Sequence, residues 1–325
     1  MAPIDAPGQR QVADRLWRRL RFQAAVPGCG SRLRLQAFAV PLASGRQPLV
    51  YFRLPGRGWT SREGCLNAKQ AGGGPRDEDG GAAVPQHTRA YAVGDCHGCL
   101  EALRELREAI VADSARADAE GPRAQRRVVV YLGDYIDRGP DSRGVIDLLI
   151  GAPLAGFETI HMLGNHEALM RGFLDGEDVA SVWMMNGGIE TLRSYGLDVT
   201  ALNGPWPGGD APALRAALAA VLPDAHRAFL DGLAPRHIEG DYFFAHAGIR
   251  PGVPLERQAE NDLLWIREPF LRSTADHGKV VVHGHSAARE PEVRANRIGI
   301  DTGACYGGKL TALVLEDTRH RFLQV

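Results

Sequence analysis

Five runs of apolar residues each end in a small polar cluster bounded by glycine, and this repetition restricts the fold more than any other feature of the chain. In order, the clusters are Gly94-Asp95-Cys96-His97-Gly98, Gly133-Asp134-Tyr135-Ile136-Asp137-Arg138-Gly139, Gly164-Asn165-His166-Glu167, His246-Ala247-Gly248 and Gly284-His285. An Asp and a His two apart on a strand-to-loop turn point the same way. A lone Asp or His at a strand end is usually a satisfied polar group. Five such clusters in order, carrying oxygen and imidazole donors, instead read as parts of one metal site.

The stretches between the clusters set the architecture. Arg89 to Val93 reads as a strand, followed by a helix with Leu100, Leu103, Leu106 and Ile110 at three- and four-residue spacing. Arg127 to Leu132 is a strand leading to a short helix from Ser142 to Ile150, and Glu158 to Leu163 is a strand leading into a helix from His166. This βαβαβ rhythm predicts a parallel sheet whose ligands gather beyond the carboxyl ends of its strands. The middle reads as helical: Ser181 to Tyr195 broken by Gly187-Gly188, then Ala211 to Leu222, then Asp224 to Leu233. After Ala234 the chain turns to strands. Arg236 to Glu239 and Tyr242 to Ala245 flank Gly240-Asp241 as a hairpin, with further strands at Val280 to Val282, Arg297 to Asp301, Leu310 to Leu315 and Arg321 to Val325. The class is α/β, a βαβαβ half joined to a mostly β half.

Residues 1–86 differ from the rest and read as a poorly ordered N-terminal extension to a domain spanning 87–325. Gln9 to Ala24 has the spacing of a basic amphipathic helix, with a solvated face favoured over lipid contact, and Leu49 to Leu54 that of a short strand. Ala71 to Pro85, with Gly72-Gly73-Gly74-Pro75, reads as linker; no Lys-Ser/Thr follows it to make a phosphate loop. A net charge of -1 offers no field to gather nucleic acid, and no apolar run reaches the roughly 20 residues of a membrane span. The five cysteines are odd in number and scattered, which suits a reducing cytoplasm rather than a disulfide framework. Cys96 and Cys99 form a C-x-x-C, but no second pair completes a zinc ribbon.

Two divalent ions sharing a carboxylate need about six protein ligands of mixed type. Asp95, His97, Asp134, Asn165, His246 and His285 supply that number. With these residues in place, the chain resembles the phosphoprotein phosphatase superfamily of calcineurin-like dinuclear metallophosphoesterases. The bacterial and lambda-phage type of serine/threonine phosphatase is the nearest likeness. The resemblance covers about residues 89 to 320 and implies a central β-sandwich flanked by helices, with two metal ions at the strand carboxyl ends. It assigns Asp95 and His97 to one metal, Asn165, His246 and His285 to the other, and Asp134 to the bridge. It further implies direct attack of a metal-bridging hydroxide on phosphorus, His166 as general acid, Asp137 as its carboxylate partner, and phosphate binding by Arg138, Arg267, Asn165 and His166. Manganese is the expected metal, with iron or zinc also suited to the donor set.

Other residues carry open readings. His283 competes with His285 and reads as a core or supporting histidine. Asp301 reads either as a partner of a ligand histidine or as a turn residue, and Glu167 as support for the helix start. Cys96, beside the metal motif, suggests sensitivity to oxidants. The expected substrate is a phosphoprotein or phosphopeptide, with small phosphoesters as further candidates. The rival activities are symmetrical diadenosine tetraphosphate hydrolysis and an inactive binding scaffold.

Overall fold

The computed structural model describes residues 81–198 and 210–325 in full, together with the backbone of three strands nearer the N-terminus. These are β1 (Arg21–Ala24), β2 (Leu33–Val40) and β3 (Leu49–Arg53), paired antiparallel in the order β1-β2-β3. The chain divides into two compact units, residues 1–73 and 74–325. Arg21 to Ala24, expected to end a helix, instead pairs with Leu33 to Gln36, so strand pairing wins over the local helical spacing. Residues 9–20 of that expected helix, the run Gly72 to Pro75, Cys29 and Cys65 lie outside the described residues.

In the second unit, β4 (Thr88–Val93) leads into α1 (Leu100–Glu120), β5 (Arg126–Tyr131) into α2 (Ser142–Gly151), and β6 (Glu158–His161) into α3 (Asn165–Asp175). A helical stretch follows, made of α4 (Ala180–Trp183), a π turn (Met184–Gly188) kinked at the non-helical Gly187, and α5 (Ile189–Ser194). After it come α6 (Ala211–Val221) and α7 (Asp224–Asp231). The hairpin β7 (His237–Glu239) and β8 (Tyr242–Phe244) precedes α8 (Glu260–Trp265) and α9 (Glu268–Leu271). The chain closes with β9 (Val280–His283), β10 (Glu292–Val293), β11 (Arg297–Gly299), β12 (Thr311–Glu316) and β13 (Arg319–Gln324).

These strands make two five-stranded sheets, ordered β13-β12-β4-β5-β6 and β10-β11-β9-β8-β7. Within the first, β4, β5 and β6 run parallel and β12 pairs antiparallel to β4. The period-two pattern of β4 and β5 explains the layering. Ala90, Ala92, Val128 and Val130 face a core shared with Tyr242, Phe244 and Val282 of the other sheet, while Tyr91, Val93, Val129 and Tyr131 face α1, α2 and the other helices. Phe243 and Val281 cover the far side of the second sheet with Leu263 and Phe270 of α8 and α9. The result is a sandwich of two sheets with helices on both outer faces.

Two features go beyond the sequence pattern. The C-terminal hairpin β12–β13 joins the sheet of the βαβαβ half rather than the β-rich half. The end of the linker-like stretch is fastened to the domain: Ala83 N–H donates to Asp241 Oδ2, Val84 N–H donates to the Asp317 carbonyl, and the Val84 side chain is buried.

Candidate metal centre

The loops after β4, β5, β6, β8 and β9 meet at one place. His246 Nδ1 lies 3.0 Å from the Leu132 carbonyl and His97 Nδ1 lies 2.8 Å from the Ile136 carbonyl. A carbonyl only accepts, so both Nδ1 atoms carry a proton, and both rings turn Nε2 toward the centre. Around His246 Nε2 stand Asn165 Oδ1 at 2.8 Å, His285 Nδ1 at 3.2 Å and Asp134 Oδ2 at 3.4 Å. Asp134 Oδ2 is also 3.4 Å from His97 Nε2. Asp134 therefore belongs to two groups of converging donors, one with His97 and His166, the other with His246 and His285. Asp95 enters from the β4 loop, where its Oδ2 accepts the His285 N–H at 2.9 Å. Gly284 admits it: a Cβ there would lie 2.0 Å from Asp95 Oδ1.

Holding these side chains together strains the backbone. His97, Asp134, Asp137, Arg138 and His285 all have positive φ, between 41° and 72°. Such conformations cost free energy in non-glycine residues and persist where surrounding structure enforces them, as at functional sites.

The donor set fits a pair of divalent cations. Asp95 Oδ1 and His285 Nε2 are buried polar atoms without a hydrogen-bond partner. Burial keeps the His97 and His285 imidazoles well below their usual range, with the Arg138 and Arg267 charges adding to the effect, so both rings are neutral as ligation requires. Burial pushes the Asp134 carboxyl up, but the imidazoles of His246, His166 and His97 outweigh it and hold Asp134 well below the usual range. Burial and Asp301 hold the Asp95 carboxyl well above it. Burial also opposes charge on His246, yet the Asp134 carboxylate raises its imidazole to about 9. A cation among these groups would reverse that preference, because it repels the same proton.

Next to this cluster lies a fully buried pair, with His166 Nδ1 2.6 Å from Asp137 Oδ2. His166 Nε2 has no hydrogen-bond partner and lies 3.8 Å from Asp134 Oδ2. Burial lowers the His166 imidazole to about 3 and raises the Asp137 carboxyl, since neither ion is welcome there without opposite charge. Arg138 reaches back to His97 Nε2 and lies over the Tyr306 ring, 5.6 Å from its centroid. Arg267 donates to the His285 carbonyl at 3.2 Å and to Ser286 Oγ at 3.3 Å.

The residues with open readings separate cleanly. Glu167 accepts four backbone N–H groups, two on each oxygen: Asp134 and Gly164 on Oε2, Tyr135 and Ile136 on Oε1. It ties the helix start of α3 to the loop after β5. His283 packs away from the cluster, its Nδ1–H donating to the Gly284 carbonyl at 3.1 Å and its ring edge-on to Phe270. Asp301 accepts the Gly303 N–H at 3.0 Å, a turn duty. The suggested oxidant sensitivity of Cys96 meets an obstacle: the thiol is only 2% exposed, and burial pushes it well above its usual range, so a reactive thiolate is disfavoured. Three neighbours of Asp137 escaped the sequence reading, namely Ser142, Trp183 and Thr191. The only trace of them was the Gly187-Gly188 break between the last two.

Fold and site together define a metallophosphoesterase, and the chain belongs to the calcineurin-like phosphoesterase family, whose model matches residues 88–307. Members of this family work with divalent metal ions. The chain is 33% identical over 240 residues to a protein named serine/threonine-protein phosphatase 1 from Salmonella typhimurium, covering 68% of this chain and 89% of that one. It is 26% identical over 239 residues to a protein of Bacillus thuringiensis named bis(5'-nucleosyl)-tetraphosphatase PrpE [asymmetrical], covering 68% and 88%. A protein of the same name from Oceanobacillus iheyensis is 27% identical over 243 residues, covering 68% and 86%. No helix among the described residues is long and apolar enough to cross a membrane.

Proposed function

We propose that this metallophosphoesterase is a phosphomonoesterase acting on phosphoserine and phosphothreonine in proteins. The observation that carries the reading is His166, whose Nδ1 is tied to Asp137 while Nε2 stands without a partner beside Asp134. A positioned acid is worth most where the leaving group is a poor one. Serine and threonine alkoxides are poor leaving groups; the phosphate chain released from a dinucleotide is a good one and gains little from protonation.

In this mechanism Arg138, beside His97, and Arg267, beside His285, grip the phosphate, and Asn165 and His166 add hydrogen bonds. Asp95, His97 and Asp134 would hold one divalent ion, and Asp134, Asn165, His246 and His285 the second. Manganese, iron or zinc suits these donors. When bound, the ions supply a water of lowered pKa for attack on phosphorus and neutralise developing charge. His166 donates its Nε2 proton to the departing oxygen, and Asp137 keeps the ring aimed there by accepting from Nδ1. The substrate dianion supplies the opposite charge that the buried imidazolium otherwise lacks.

The second reading, hydrolysis of dinucleoside polyphosphates, is supported by the two relatives bearing that name, although theirs is the asymmetrical activity and not the symmetrical one considered from the sequence. The deciding experiment measures phosphate release by the manganese-loaded protein from a phosphoserine peptide and from diadenosine tetraphosphate. The peptide should be turned over, and His166→Asn should slow it by about 10²–10⁴-fold. Turnover of the dinucleotide alone would replace this reading with the second.

A further inference from the structure

Asp137 is surrounded by hydrogen-bonding groups whose arrangement goes beyond what packing requires. Thr191 Oγ1 lies 2.6 Å from Asp137 Oδ1, and Trp183 Nε1 donates to both carboxylate oxygens, at 3.1 Å and 3.0 Å. The Asp137 N–H is shared between Ser142 Oγ and Thr191 Oγ1, each at 2.9 Å. Ser142 Oγ and Thr191 Oγ1 are themselves 2.9 Å apart. The proton inventory fixes the directions. A carboxylate only accepts, so the single Thr191 hydroxyl proton goes to Oδ1, and Ser142 must be the donor to Thr191. The Asp137 side chain is thus held at both oxygens and at its own backbone by three buried residues from three helices, α2, α4 and α5.

The helical stretch is built to do this. Trp183 and Thr191 are eight residues apart, about 2.2 turns at the 3.6 residues per turn of an α-helix, so an unbroken helix would aim them in different directions. The turn Met184–Gly188 lies between them, and its kink at Gly187, whose φ of 103° is not helical, reorients the second segment relative to the first. Its two glycines are needed for fit. A Cβ on Gly188 would lie 2.8 Å from the Trp183 ring, and one on Gly187, whose φ is 103°, would lie 2.7 Å from Arg138 N.

From this geometry we infer that Trp183 and Thr191 are positioning residues that aim the Asp137–His166 pair at the leaving group. The inference rests on the proposed role of His166 as the acid. With Thr191 and Trp183 in place, the Asp137 carboxylate cannot rotate, so Oδ2 stays on His166 Nδ1 and Nε2 stays directed into the site. Removing either donor loosens the acid without removing a phosphate ligand. The defect should therefore grow as the leaving group becomes harder to expel.

The test compares a phosphoserine peptide with dinitrophenyl phosphate, whose leaving group departs without help, in the parent, Thr191→Val, Thr191→Ser, Trp183→Phe and His166→Asn. Thr191→Val and Trp183→Phe should lower kcat on the peptide by about 10–100-fold, leave KM within about twofold, and lower dinitrophenyl phosphate turnover far less. Thr191→Ser, which restores the hydroxyl, should recover most of the peptide rate. Should Trp183→Phe fail to fold, the Thr191 pair still decides. Equal losses on both substrates, or a Thr191→Ser as damaged as Thr191→Val, would overturn the positioning role while a selective defect in His166→Asn left the acid assignment standing. An unselective His166→Asn would remove the acid assignment, and this inference with it.

Discussion

Glu167 shows at the residue scale how one side chain assembles a site it does not enter. Its four backbone donors belong to Asp134, Tyr135, Ile136 and Gly164, so it fixes the loop that carries Asp134 and the turn that precedes Asn165. Burial and the Asp134 charge push its carboxyl up to about 8, and the same N–H groups act against that by favouring the ionised form. Glu167→Gln keeps the shape but turns one acceptor into a donor facing two N–H groups. Leaving those buried donors unsatisfied should cost about 2–4 kcal/mol, read as a lower urea midpoint with an unchanged slope. A variant as stable as the parent would show that the four contacts contribute nothing net. The residues that converge at this site were legible in the sequence because each sits at a glycine-bounded turn after an apolar run. Trp183 and Thr191 were not, because nothing in a helical pattern tells which polar atom will meet a carboxylate some fifty residues earlier.

Among the elements, the π turn offers the sharpest test of how local backbone serves the site. The Gly187 carbonyl accepts the Arg138 N–H at 3.3 Å, so the turn also supports the loop after β5. Gly187→Ala meets two penalties, a Cβ at positive φ and a clash with Arg138. Gly196 is the control: its φ is 83°, but a Cβ there has nothing within 4 Å. Gly196→Ala should therefore cost only the strain, about 1 kcal/mol, whereas Gly187→Ala should cost about 1–3 kcal/mol more and raise KM for phosphopeptide. Thermal midpoints and a substrate titration read both effects. Equal shifts in the two variants would mean that the approach of Arg138 to the turn does not matter. At this scale the sequence showed a break at Gly187-Gly188, yet not its kind. A loop, a chain reversal and a helix kinked at one glycine leave the same trace in a hydrophobic pattern.

For the whole molecule, strand existence was readable and strand partnership was not. The βαβαβ order follows from local spacing, but β12 lies beside β4 through pairing of Ala312 with Val93 and Glu316 with Arg89, positions more than two hundred residues apart. Charged side chains secure that distant join. Asp113 of α1 accepts from Arg321 of β13 at 2.6 Å and 3.2 Å and from the Tyr91 hydroxyl of β4 at 2.9 Å, linking the first strand, first helix and last strand of the domain. Burial opposes the charge on Asp113, but these hydrogen bonds outweigh it and set the carboxyl below its usual range. A folded-state pKa below the unfolded value of about 3.9 adds stability above that pH, and the contribution fades as pH falls through the folded value. Asp113→Asn should therefore cost about 1–3 kcal/mol at pH near 7, with the gap to the parent narrowing once the pH drops below about 4. Urea unfolding of both proteins at neutral and acid pH makes the comparison. A gap of constant size would assign the loss to amide packing, because only the charged form of Asp113 gains from Arg321.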